Sequence, residues 1–408
     1  MSRRRYLMLV CLALFALVLT GCLLADTRKV MSYLAPTWKK DDHSASGMNS
    51  ADEIGRSIAK LSEYTSTLPT GPDEPRLPNG VIIMASMRTG SSFVGELLAN
   101  SKDVFYLFEP GLSLQLAVEK IESSLGIAYD QTKLYINMLR QLFQCDFRNL
   151  DFYLNSLSKE YLPTLQKREP RLYDACIRQY NGDYCLVTQR MATESCKRSK
   201  YIVIKVIRIP VISFLLPMVE GMNLKVVHLV RDPRPVTASR VLAMTGQKLV
   251  SPNQNDSLFS SEIQTYFFNY CRWNVESVET ARLTPSLQKR YMFLRYEDVA
   301  SYPTSAAGRI HKFLGRNQVP GSVHEWIHAN TKFNRPELFS TTRNSSQMCN
   351  AWRHTMSFDT AKAIEGFQEC REMMRKMGYG LLENEMHQRD LSRSLIYNIT
   401  PVAVPATN

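Results

Sequence analysis

The sequence predicts an α/β fold: a P-loop-like parallel sheet flanked by helices, preceded by one transmembrane helix and a stem. Three observations carry this reading. Short apolar runs alternate with longer amphipathic ones, one strand-to-helix junction has the composition of a phosphate-holding turn, and an N-terminal run is apolar enough to cross a bilayer.

In chain order, Arg3, Arg4 and Arg5 precede Tyr6–Ala25, a stretch without a formal charge. Residues 1–5 therefore read as a cytoplasmic tail and 6–25 as a signal-anchor helix, with the basic side held in the cytosol and the rest of the chain lumenal. A cleaved secretory signal peptide is the competing reading. Residues 26–78, with "DDHSASGMNSADE" and "LPTGPDEPRLPNG", read as a stem. Residues 79–385 form the folded domain, and 386–408 read as an irregular tail.

Within the domain, "VIIMAS", "VFYLF", "YIVIKVIRI", "LKVVHLV" and "YMFLRY" read as buried strands. Helical stretches such as "SSFVGELLAN", "PVTASRVLAM" and "SSEIQTYFFNYCRWNVESVETARL" follow several of them, which implies a parallel sheet covered on both faces. The insert from Leu112 to about Tyr161 reads as mostly helical.

Seven of the nine cysteines lie beyond the anchor and none forms a CxxC pair, so disulfides in an oxidising lumen are expected before zinc. The odd number leaves at least one outside intramolecular pairing. Sequons stand at Asn255, Asn344 and Asn398. A net charge of +12 suits an anionic partner, and in a lumen this points away from nucleic acid and toward acidic glycans, phosphorylated nucleotides or membrane surfaces.

The chemistry concentrates in "VIIMASMRTGSSF". A buried strand ends in a turn containing Gly90, and Ser91 and Ser92 open a helix whose free N–H groups and dipole make an anion site. Arg88 adds a charged fork, and the Thr89, Ser91 and Ser92 hydroxyls add donors. GxxxxGK[ST] is absent, which argues against a metal-dependent ATP or GTP site. A second element, "LKVVHLVRDPRPVTASR", turns at Arg231 into a helix, with Asp232 near the N-cap and Pro233 in the first turn. Arg231 and Ser239 fall on a similar helical face and can reach one phosphate.

"RTGSSFVGELL", "DVFYLFEP", "VRDPRPVTASR", "RYEDV" and "TTRNSSQMCNAWR" occur in an order and spacing that resembles the Golgi carbohydrate 6-O-sulfotransferases, from about Pro78 to Leu382. The resemblance implies a sulfotransferase domain and the donor 3'-phosphoadenosine 5'-phosphosulfate, with no metal required. It implies a glycan or proteoglycan acceptor, chondroitin- or keratan-type among them, and a single-pass type II place in the Golgi membrane. A homo-oligomer is left open. By the same likeness Met87, Arg88, Thr89, Gly90, Ser91, Ser92 and Phe93 hold the 5'-phosphosulfate. Arg231 and Ser239 hold the 3'-phosphate, Asp232, Pro233 and Arg234 belong to the same donor-binding turn, and Arg343, Ser345 and Ser346 lie in a late loop that closes over the donor.

Transfer to a sugar hydroxyl needs a base. Glu109, at the end of an apolar strand and fixed by Pro110, is the candidate, brought to the loop on an adjacent parallel strand with its pKa raised by Tyr106, Leu107 and Phe108. Lys205, inside an apolar strand, is costly to bury alone and is assigned to the sulfo or leaving group, with a structural ion pair as the alternative. His228 and His311 are given core or surface roles. A lumenal P-loop-like kinase and a non-catalytic lumenal glycan-binding membrane protein are the competing functions.

Overall fold

The structure is a computed structural model that describes residues 51–64, 77–180, 184–222, 224–245, 261–332, 341 and 345–398. The predicted anchor at 6–25, most of the stem, the Asn255 and Asn344 sequons and Arg343 lie outside the described residues.

Five strands, β1 (Asn79–Ala85), β2 (Val104–Leu107), β3 (Tyr201–Val206), β4 (Leu224–Val230) and β5 (Tyr291–Arg295), form one parallel sheet in the order β2-β3-β1-β4-β5. The alternation is strict. Ile82, Met84, Phe105, Leu107, Ile202, Ile204 and Val226 face one apolar cluster, while Val81, Ile83, Val104, Val203, Val227 and Leu294 face the other. Both faces are covered, so the strands read as continuous apolar runs.

Helices α1 (Ala51–Ser62), α2 (Ser91–Ala99), α3 (Pro110–Leu125), α4 (Gln131–Phe143), α5 (Asp151–Ser158), α6 (Leu162–Arg168), α7 (Pro170–Tyr180) and α8 (Gln189–Lys197) occupy the first half of the chain. Then come α9 (Leu216–Gly221), α10 (Pro233–Thr245), α11 (Ser261–Leu283) and α12 (Tyr296–Ser301), and further helices down to Glu385–Arg389. The helical insert is as expected. Asp130 caps α4 by accepting from the Lys133 amide, and Thr188 caps α8 by accepting from Met191.

Two boundaries need correction. The stem expectation hid α1, whose Ile54, Ile58 and Leu61 are spaced i, i+4, i+7 and buried, packing on α3 and α4 with the Asn137 amide donating to Leu61 O. The tail is irregular after the short helix Glu385–Arg389, but up to Tyr397 it is tied into the domain rather than separate from it. Buried Arg353 donates to the carbonyls of His387, Gln388, Asp390 and Arg393, Arg295 Nη1 donates to Tyr397 O at 2.7 Å, and Leu395 sits in the core. Arginine forks on backbone carbonyls replace the sheet or helix bonds that such a segment lacks.

Disulfides join Cys145 to Cys196, Cys176 to Cys185 and Cys271 to Cys370, while buried Cys349 stays outside them beside Ser301. The third closes a separation of 99 residues, for which a chain-entropy account gives about 4 to 5 kcal/mol of stabilisation.

Candidate active site

Because β3 and β4 both pair with β1, the strand order reverses there, and the crevice beyond the carboxyl ends of these strands is where an open α/β sheet binds ligands. The turn from β1 to α2 occupies it. Gly90 has φ 88°, and a Cβ there would stand 2.3 Å from the Tyr296 ring, so glycine is required both by conformation and by space. Arg88 also takes a left-handed φ of 70°, a cost that a side chain tolerates only where its surroundings fix it. They do: Thr89 Oγ1 donates to Ser86 O at 2.7 Å, Arg231 Nη1 donates to Arg88 O at 3.1 Å, and Arg240 Nε donates to Met87 O at 2.9 Å. In the first turn of α2 the Phe93 amide already donates to Gly90 O at 3.0 Å, so the anion-binding end of the helix is left to the amides before it, those of Ser91 and Ser92.

The two anion elements of the sequence form one site. Arg88 Nε donates to Ser239 Oγ at 2.9 Å, bringing α10 against the loop. Arg231 lies over the Tyr296 ring at 4.3 Å, and its buried Nε has no acceptor among the described residues. A buried guanidinium nitrogen aimed at nothing is the kind of group that a ligand anion completes. Its backbone is held on both sides: the Tyr270 hydroxyl accepts from Arg231 N and donates to Arg231 O, and Glu297 Oε1 accepts from Asp232 N at 3.0 Å.

On the other side of the crevice, β2 ends and Glu109 takes φ 48° and ψ 54° before Pro110 opens α3. A residue before proline favours extended conformations, so this left-handed geometry is held against local preference. Glu109 Oε1 accepts from Lys205 Nζ, and Oε2 accepts from Arg208 Nη1 at 3.1 Å. Lys205 Nζ also donates to Ser92 Oγ at 2.9 Å and lies 3.9 Å from the Phe108 ring centroid. One buried ammonium thus joins the anion loop to the carboxylate.

Several expectations change. Burial pushes the Glu109 carboxyl up, but the attraction of Lys205 and Arg208 outweighs it and leaves the pKa below the ordinary carboxylate value. Burial remains the largest single influence, and only the two cations together reverse it. Burial pulls the Lys205 ammonium down, opposed by Glu109, and the net shift is downward. Glu109 does not come from a strand adjacent to β1, because β3 is inserted between β1 and β2 and contributes Lys205.

Asp232 and Arg234 do not face the anion site. Arg234 is fully buried, held by both oxygens of Asp232 and by Glu365 Oε1 at 2.9 Å, and stacked on Trp352, so its charge is spent inside the fold. Pro233 opens α10 as expected. In the late loop, Ser345 begins a short helix, Ser345–Met348, and Thr341 Oγ1 donates to Glu96 Oε2 of α2 at 2.7 Å. His228 and His311 are buried, with burial first lowering each pKa to about 4, and His228 is held by Tyr291 and Asn274.

Arg208, Arg240, Tyr270 and Glu297 are site members that the sequence reading missed. The first stands only three residues beyond Lys205, and Glu297 stands inside the quoted "RYEDV". The other two lie on helices Pro233–Thr245 and Ser261–Leu283, where the linear pattern does not separate a polar side chain facing the site from one facing water.

A sulfotransferase domain model matches residues 78–378. The chain is 32% identical to human carbohydrate sulfotransferase 3 over 345 residues, covering 78% of this chain and 70% of the relative. The chain belongs to the carbohydrate sulfotransferase family. Mouse carbohydrate sulfotransferase 5 is 31% identical, over 78% of this chain and 84% of the relative, and mouse carbohydrate sulfotransferase 4 is 28% identical, over 79% and 88%. Among solved structures, the sulfotransferase domain of a Synechococcus olefin synthase aligns with TM-score 0.41 at 14% identity, over 78% of this chain and all of that one. Retinol dehydratase, solved with retinol and PAP, aligns with TM-score 0.35 at 14% identity, over 79% and 86%. The assignment to the carbohydrate sulfotransferases rests on the sequence matches.

Proposed function

We propose that this chain transfers a sulfo group from 3'-phosphoadenosine 5'-phosphosulfate to the 6-hydroxyl of a galactose, N-acetylgalactosamine or N-acetylglucosamine unit in a glycosaminoglycan or related glycan. The observation that carries the reading is Lys205, which bridges Ser92 of the anion loop and Glu109 in a single buried contact set. A binding protein has no use for a carboxylate wired to its anion loop.

The residues divide the work. The amides of the β1–α2 turn with Arg88, Ser91 and Ser92 hold the phosphosulfate, while Arg231 and Ser239 take the 3'-phosphate that distinguishes this donor from ordinary adenine nucleotides. Glu109, ionised near neutral pH because its pKa is lowered, takes the proton as the sugar oxygen forms its bond to sulfur. The bond from sulfur to the bridging oxygen breaks in line, and Lys205 and Arg88 balance the charge left on the phosphate. An anion in the loop also offers Lys205 a second partner, which loosens its hold on Glu109 and restores basicity at the moment it is needed. The apolar run at Tyr6–Ala25 and the three disulfides support a type II Golgi membrane setting with the domain lumenal.

Full-length protein in detergent, given labelled sulfate donor and a panel of desulfated chondroitin, keratan and N-acetylglucosamine-terminated glycans, is expected to label at least one acceptor at C6. Folded protein that labels none overturns the reading. Phosphate transfer from ATP with magnesium would favour the kinase.

A further inference from the structure

Three successive residues at and just beyond the end of α6 contact α2 and the residue before Glu109. Lys167 Nζ lies 3.7 Å from Glu96 Oε1 on α2, Arg168 lies 4.3 Å from the Phe108 ring centroid, and Glu169 Oε1 accepts from the Phe108 amide at 3.0 Å. The Phe108 ring is therefore contacted by two cations, Arg168 and Lys205, and its backbone amide is held by Glu169. It is also the residue before Glu109.

Glu169 is buried at the junction of α6 and α7, where its own amide donates to Leu165 O at 2.7 Å and its carbonyl accepts from Leu172 and Tyr173. It cannot shift without moving both helices. β2 is an edge strand of the sheet, so an amide on its outer side needs a partner from elsewhere. The left-handed Glu109 that follows must be fixed by its surroundings.

We propose that Glu169 is a positioning residue for the transfer step: its carboxyl clamps the Phe108 amide, sets the turn that aims Glu109, and makes the helical segment 162–180 and the base move as one piece. The proposal rests on the base role given to Glu109 above. The groups around Glu169 are Glu160 and Arg168, with Tyr106 from β2 and Tyr153 from α5. Burial first, and the neighbouring Glu160 next, push its carboxyl well above the usual carboxylate range, while Glu169 Oε2 has no partner among the described residues. A neutral acceptor therefore suffices at this position.

This makes the amide a better replacement than the shorter acid. Glu169→Gln keeps an acceptor at the same reach and is expected to hold kcat within about twofold of wild type. Glu169→Asp withdraws the oxygen by one methylene and is expected to lower kcat on the order of 100-fold with the donor KM unchanged. Hydrogen exchange of the 104–112 segment provides a readout that does not depend on turnover: faster in the aspartate variant, protected in the glutamine variant. An aspartate variant equal to or better than the glutamine variant in both measurements overturns the proposal. If wild-type protein transfers no sulfo group, the reading of the reaction fails, and the exchange difference still decides whether Glu169 holds the turn.

Discussion

Two of the buried carboxylate–cation clusters among the described residues are built to opposite ends. Around Arg234, Asp232 and Glu365 supply charge-assisted bonds to a guanidinium with no exposure, and the Trp352 ring closes the stack. Around Glu109, the cations come from Lys205 and Arg208, but Lys205 also holds Ser92 of the anion loop and Arg208 is partly exposed. The first cluster is saturated, and its rearrangement would leave a buried charge unpaired. In the proposed reaction the second has a partner to exchange, since Lys205 already contacts Ser92. Similar ion pairs thus serve a static purpose and, in the proposed reaction, a convertible one, and what separates them is whether one member touches the β1–α2 turn.

If the Arg234 cluster is purely architectural, Arg234→Ala leaves buried Asp232 without its cation and Glu365 with Lys362 alone, and is expected to destabilise the protein by about 3 to 5 kcal/mol, measured by chemical denaturation. A variant of wild-type stability with impaired donor binding would erase the distinction between the clusters.

Glu297 borders the first cluster, accepting from the Asp232 amide and from the Tyr379 hydroxyl at 2.9 Å. Burial, then the charge of Asp232, raises its pKa from 4.5 to about 7. The folded state therefore binds this proton more tightly than the unfolded chain. The associated stability is fully present below about 4.5 and is lost as pH rises through about 7, a span on the order of 3 kcal/mol. Glu297→Gln is expected to flatten the melting temperature against pH between these limits, and an unchanged slope would show that another group sets it.

The smallest effect is expected at the rim of the convertible region. Arg231→Ala should weaken binding of adenosine 3',5'-bisphosphate by about 1.5 to 3 kcal/mol through the lost charge-assisted bond, and should cost a smaller amount of stability, about 1 kcal/mol, through its bond to Arg88 O. Equal affinity by calorimetry would remove Arg231 from the 3'-phosphate site.

The same contrast explains what the sequence could show. The strands were legible because residues such as Ile82, Val203 and Val227 are buried on both sides and leave unbroken apolar runs. The loop was legible because Gly90 and the serines are local to it. Arg234 misled because "VRDPRP" places it beside Arg231, whereas its decisive partner, Glu365, lies 131 residues away. The pKa of Glu109 was equally out of reach, since Lys205 and Arg208 arrive from 96 and 99 residues downstream and reverse the effect of its apolar neighbours. Helix α1 was hidden by its place after a polar stretch, although Ile54, Ile58 and Leu61 already carried the period.

The convertible cluster is tested most directly by measuring turnover and product-nucleotide binding on one preparation of Glu109→Gln. The account predicts that kcat falls by about 100-fold to 10,000-fold, the range for loss of a general base, while adenosine 3',5'-bisphosphate binds as it does to the wild type. Turnover close to wild type, or loss of nucleotide binding together with turnover, would contradict the assignment of Glu109 as the base.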